Sequence, residues 1–232
     1  MDAWVALALI VGFLLLVGFV LFLVLTRAFR DMGLSTAEAV VIIVGSFLLG
    51  QGILDDVVGV PFSNLPLMTY GSWRVGVNLG GAVVPLLLCL YLIWKLRLSW
   101  RRLLFGILLV GVVAYLVTVP DPARGIVSRF PWWLLPVVVA SLCSVVLLWG
   151  QRRKAAPFAY IIGVCGVLLG ADLLHLYTLL NTAIPAPRTA VIGGASVFDM
   201  VFTTGLLAVL LDGIMGYRKS DESGAQKKGS GD

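Results

Sequence analysis

Apolar residues in this chain do not alternate with polar ones. They run in unbroken blocks of about twenty, separated by short polar punctuation. Seven such blocks stand out, at about residues 3–26, 37–56, 75–94, 103–119, 131–150, 158–180 and 190–215. A helix of roughly 20 apolar residues crosses a ~30 Å hydrocarbon layer, so each block predicts a membrane-spanning helix. The pattern predicts an all-α, polytopic bundle of seven transmembrane helices over residues 1–219, with a disordered polar tail at 220–232.

Local signals refine the boundaries. Ser35-Thr36-Ala37-Glu38 has the spacing of a capping box and predicts the start of the second helix. Residues 54–73, LDDVVGVPFSNLPLMTYGSW, form the longest connection; their prolines, glycines and Asn64 predict an ordered, re-entrant loop. Pro85 predicts a bend in the third helix. The first block has no basic start and no small-residue cleavage site before Arg27, and so reads as a helix and not as a cleaved signal.

Composition agrees: 60% of the 232 residues are hydrophobic and 12% charged, which excludes a soluble domain. The net charge of +5 is a matter of placement. Of 17 basic residues, 13 follow the first, third, fifth and seventh blocks, and only Arg74, Arg124, Arg129 and Arg188 fall on the other side. The positive-inside rule then predicts an outside N-terminus and a cytoplasmic C-terminus in the inner (plasma) membrane of a cell. Nucleic acid is not an expected partner; membrane lipid is, with a transmembrane peptide or a small solute as candidate ligands. Trp4, Trp73, Trp132 and Trp133 would belt the outer interface, and Trp94, Trp100 and Trp149 the inner one. Cys89, Cys143 and Cys165 fall inside the blocks and read as packing residues. With a single histidine, no zinc-type cluster can form, and no metal or cofactor is expected.

Two carboxylates change the picture. Asp172 and Asp199 lie in the sixth and seventh blocks, each about nine residues from the loop 181–189 that joins them. At 1.5 Å per residue both sit roughly 12–13 Å below one face, near mid-membrane. Ionisable groups at that depth mark function by default. His175 shares the Asp172 face, Ser196 and Thr203 share that of Asp199, and Asn78 lies at a comparable depth in the third block. Gly193-Gly194 and Gly80-Gly81 supply small residues for close helix approach. Two carboxyls close together share a proton: one activates water while the other donates a hydrogen bond to a carbonyl, which is aspartic peptide hydrolysis. Two other readings stand beside it. NLGGAVV and VIGGASV, with VIIVGSFLLGQG and YIIGVCGVLLGAD, suggest a parallel 3+1+3 repeat of the kind transporters use, in which Asp55 and Asn78 would join the aspartates in lining a pore. In a scaffold the aspartates would serve packing only.

The segments NLGGAVVPLLLCLYL, GADLLHL and IGGASVFDMVFTTGLLAVLL resemble an uncharacterised family (a domain of unknown function) of multipass prokaryotic membrane proteins, a resemblance that implies architecture without an activity. More distantly, the paired aspartates resemble those of presenilin and signal-peptide-peptidase intramembrane aspartyl proteases, which implies catalytic roles for Asp172 and Asp199. The match is loose. Gly170-Ala171 stand where those proteases have an aromatic residue, and Gly193-Gly194 lie five or six residues ahead of Asp199 instead of adjoining it.

Overall fold

The computed structural model describes residues 3–123, 125–129, 131–184, 186–194 and 204–211. Helix α1 (Ala3–Asp31) is followed by α2 (Thr36–Gly50), a short α3 (Ile53–Val58) and a hairpin of β1 (Leu65–Tyr70) and β2 (Trp73–Val77). Helix α4 (Val84–Leu96) begins with a wide π-helical turn at Leu79–Val83, and α5 (Trp100–Val117) leads into a second hairpin, β3 (Thr118–Asp121) and β4 (Gly125–Ser128). Next come α6 (Leu135–Leu147) and one long helix, α7 (Arg152–Val167), continued through a π turn (Leu168–Leu173) into α8 (Leu174–Leu180). Strand β5 (Arg188–Ile192) follows, and residues 204–211 are again helical.

The helical, membrane-protein character read from the sequence is present. Among the described residues four helices are long and apolar enough to cross a bilayer: Leu7–Asp31, Leu79–Leu96, Trp100–Val117 and Arg153–Leu180. Thr36–Gly50 and Trp132–Leu147 are apolar but shorter. The capping box closes as expected, with Ser35 Oγ accepting from the Glu38 N–H at 3.2 Å and Glu38 Oε2 accepting from the Ser35 N–H at 2.7 Å.

The structure corrects the all-α expectation. Among the described residues five strands form two small sheets, and they consume residues assigned to spans. Residues 75–77 are the end of β2, so the third helix starts at 79 and not 75. Residues 190–192 are strand, and the expected seventh span is described as helix only over 204–211. The second helix stops at Gly50, because Gly52 (φ 75°) turns the chain into α3. The connection 54–73, expected as an ordered loop, is ordered as α3 and the β1–β2 hairpin, and Asp55 pins it by accepting from both the N–H and the hydroxyl of Ser63. Trp73 is 3% exposed and donates its indole N–H to Thr182 O at 3.1 Å, so it is a core residue and not an interfacial anchor. The tail at 220–232 lies outside the described residues.

Helix α7 is the axis of the bundle, with Phe158, Tyr160, Ile161, Ile162 and Val164 fully buried. Its neighbours approach through small residues: Gly106 faces Ile162, Gly166 faces Val110 and Gly170 faces the Gly111 carbonyl. In lipid, where burying an apolar side chain against another helix gains little over tail contact, such close backbone approach is what holds helices together. Helix α1 differs. Among the described residues none buries its most apolar window, and residues near its end, Leu25, Ala28 and Phe29, pack into the core.

The strands tie the ends of the helices together. The sheet runs β1-β2-β5, with β1 antiparallel and β5 parallel to β2, pairing Trp73 with Arg188 through Val77 with Ile192. Both β2 and β5 run straight into glycine pairs, and these touch: a Cβ on Gly81 would overlap the Gly193 carbonyl, and one on Gly193 would overlap Ala82. The two segments whose sequences echo one another therefore lie side by side.

Candidate functional site

Asp172 sits in the π turn between α7 and α8, only 7% exposed. Widened turns of this kind recur at functional positions, because the extra residue re-aims a side chain. Leu180, the last residue of α8, is eight residues further on, so the carboxyl lies about 12 Å along the helix from its end. Carboxylate Oδ2 accepts a hydrogen bond from the Gly193 N–H at 2.6 Å. That N–H is available because Gly193 and Gly194, at φ 85° and 69°, make a sharp left-handed turn at the end of β5 that residues with a side chain rarely adopt.

Asp172 also lines a cavity of about 650 Å³ at the strand-bearing end of the bundle. This is within the usual size range of ligand sites. One wall is the β3–β4 hairpin, through Thr118, Pro122, Gly125, Ile126 and Ser128; Trp73, Trp133 and Leu176 add apolar surface. The opposite wall is β5, from Arg188 to Ile192, with Gly194 beyond it. The exposed Arg188 reaches across to the hairpin, donating from Nη1 to Pro122 O at 3.1 Å and Ala123 O at 2.7 Å.

Five consecutive residues of a strand line this cavity, although neighbouring side chains point to opposite faces. The backbone edge explains it. Arg188 N donates to Ser72 O at 3.1 Å and Asn78 N donates to Ile192 O at 3.0 Å, so residues 188, 190 and 192 turn their peptide groups toward β2. Thr189 and Val191 turn theirs the other way, and among the described residues no strand pairs with them. Gly193 continues the same open edge, and its N–H is the one that Asp172 accepts.

The remaining predicted residues separate. His175 does not line the cavity with Asp172; it is buried against α5, its ring stacked on Tyr115 at 4.4 Å and Nε2 3.1 Å from Tyr115 O. Asn78 is fully buried and holds backbone: Nδ2 donates to Gly50 O at 3.0 Å and Oδ1 accepts from the Gly81 N–H at 2.7 Å. Gly193, expected as a small residue for close helix approach, donates its N–H to Asp172, and Gly194 lines the same cavity. Asp199, Ser196 and Thr203 lie outside the described residues. Among the described residues no three of His, Cys, Asp and Glu gather as metal ligands would. Reasoning from sequence missed Arg188, Thr189 and Val191. The β-branched run RTAVI was the available signal, hidden because it merges with the apolar block that follows.

A family model described as a protein of unknown function, DUF1614, matches residues 53–211, more than half of the chain. The chain belongs to the DUF1614 family. The match opens at α3 and takes in the sheet, the cavity wall and Asp172, while α1 and α2 precede it. Comparison with curated proteins and with solved structures yields no match. In this DUF1614 protein the uncharacterised-family reading therefore stands on the family model, and its chemistry has to come from the site.

Proposed function

We propose that this DUF1614 protein is an intramembrane aspartyl hydrolase that cleaves membrane peptides, with Asp172 and Asp199 as its two carboxyls. The observation that carries the reading is the buried Asp172 carboxylate at the wall of the cavity, bonded to Gly193 at the start of the segment leading to Asp199. A carboxylate buried at this depth is costly, and a cavity wide enough for water and a peptide gives it a use. In the reaction one carboxylate takes a proton from water as the oxygen attacks the peptide carbonyl carbon. The neutral carboxyl gives its proton to the carbonyl oxygen, and a tetrahedral diol forms. Collapse of the diol breaks the C–N bond, the departing nitrogen takes up a proton, and the shared proton is restored. The open edge of β5 offers the Thr189 and Val191 peptide groups to a substrate in extended conformation.

The test is direct. Purified protein in detergent is incubated with apolar transmembrane peptides in ¹⁸O-labelled water. Mass spectrometry should find two fragments with the label in the new carboxyl terminus, and Asp199→Asn should yield none. Cleavage that survives Asp199→Asn would remove the dyad.

A solute transporter is the second reading, favoured by the parallel β2 and β5 strands that enter touching glycine pairs, as two repeats would. Against it, Asn78 and Asp55, the expected pore residues, bond within the fold. A scaffold role leaves the cavity without a purpose.

The reading includes seven spans in a plasma membrane, with the cavity on the outer side. A reporter fused after Asp232 should then be active in the cytoplasm, and one inserted near Asn181 should not. A cytoplasmic signal from the 181–189 loop would place the cavity on the wrong face.

A further inference from the structure

Asn78, expected at a depth comparable to that of the aspartates, is fully buried and does not line the cavity. Its contacts converge on Asp172 by another route. Its backbone N–H holds Ile192 O at 3.0 Å, fixing the last residue of β5. Its Oδ1 caps the π turn by accepting from Gly81 N at 2.7 Å, and its Nδ2 ties that turn to the end of α2 at Gly50 O. Gly81, so placed, lies against the Gly193 carbonyl, and Ala82 lies against the Gly193 Cα region, where a Cβ would overlap it. The Gly193 peptide is thus confined on the face opposite its N–H, and the N–H points at Asp172 Oδ2.

We propose that Asn78 and Gly81 are positioning residues for Asp172: they hold the Gly193 peptide so that its N–H fixes the carboxylate toward the cavity. The inference rests on reading Asp172 as a reacting group, but its geometry does not depend on which reaction that is. A turn of two left-handed glycines has little stiffness of its own. The clamp from α4 supplies the stiffness, at the touching point of the two glycine pairs.

The test reads Asp172 itself, without a substrate. A hydrophobic carbodiimide adds across the O–H of a protonated carboxyl to give an O-acylisourea, which rearranges to a stable N-acylurea; nothing leaves, so the peptide gains the whole reagent mass. Labelling of Asp172 is followed by mass spectrometry on the full-length protein in detergent, well below the unfolding temperature of each variant. Asn78→Ala and Gly81→Ala should raise the initial rate about ten-fold, the scale expected when one hydrogen bond to a charged group is lost. Asn78→Ser, which keeps an oxygen to accept from Gly81 N, should restore most of the wild-type rate. Ser35→Ala removes a comparable cap on α2, far from Asp172, and should leave the rate unchanged. Wild-type labelling in a folded Asn78→Ala protein overturns the proposal, and so does equal acceleration by Ser35→Ala, which would report general loosening. If the variants label as expected while no peptide is cleaved, the positioning stands and the hydrolase reading falls.

Discussion

Asp172→Asn is expected to leave the protein folded and to stop peptide cleavage. Asparagine has the shape of aspartate, and its Oδ1 can still accept the Gly193 N–H that Asp172 accepts at 2.6 Å. The turn after β5 therefore keeps its anchor, and the change in stability should stay below about 1 kcal/mol. Chemistry is another matter. An amide at this position can neither take a proton from water nor deliver one to a carbonyl, and loss of a general acid–base group lowers the rate by about 10²–10⁴-fold. Asp172→Ala separates the two roles. It removes the acceptor, strands a buried N–H and should cost roughly 1–3 kcal/mol in addition to activity. Thermal unfolding in detergent paired with the cleavage assay decides the matter. An Asn variant that cleaves within ten-fold of wild type would take Asp172 out of the chemistry.

A large effect on stability is expected from Gly170→Ala. Gly170 lies in the same π turn, pressed on α5: a Cβ there would overlap the Gly111 carbonyl oxygen and come within 2.8 Å of its carbon and 3.0 Å of Ala114 Cβ. Those atoms are backbone of a packed helix and cannot swing aside, so α5 and the turn must separate. Overpacking of this kind typically costs about 1–3 kcal/mol. It should also move Asp172, two residues on, and lower cleavage beyond what the loss of folded protein explains. Gly12→Ala is the comparison. Nothing lies within 4 Å of a Cβ on Gly12, and the change should stay within roughly 0.5 kcal/mol. Equal unfolding midpoints for the two variants would mean that α5 and the π turn do not pack as described.

The strands were the part of the fold hardest to read in advance, for an identifiable reason. Val75–Val77 and Ala190–Ile192, the later parts of β2 and β5, merge with apolar blocks, so a count of hydrophobic residues assigns them to the spans that follow. The hairpin signal was nevertheless present. LPLMTY and WRVGV flank the two-residue loop Gly71-Ser72, and Gly71 adopts φ 57°, as a tight antiparallel turn requires. Gly125, at φ 81°, opens β4 in the second hairpin. For the site, depth counting singled out Asp172 and Asp199, while Gly193 and Gly194 were expected only as small residues for close helix approach. The helical wheel put His175 on the Asp172 face; the structure packs its ring on Tyr115 of α5, outside the cavity.

Hydropathy, caps and charge placement are local properties, so the sequence by itself determined that the chain is a helical membrane protein, that α2 begins at a Ser35–Glu38 box, and which residues were costly enough to examine. The meeting of Asp172 with Gly193, the open edge of β5 and the role of Asn78 are not local. They depend on the parallel pairing of Trp73 with Arg188 across more than a hundred residues, and on the rotation of α7 and α8 about their axis. A sequence pattern sets which face of a helix is polar. Only closure of the chain on itself sets what that face touches.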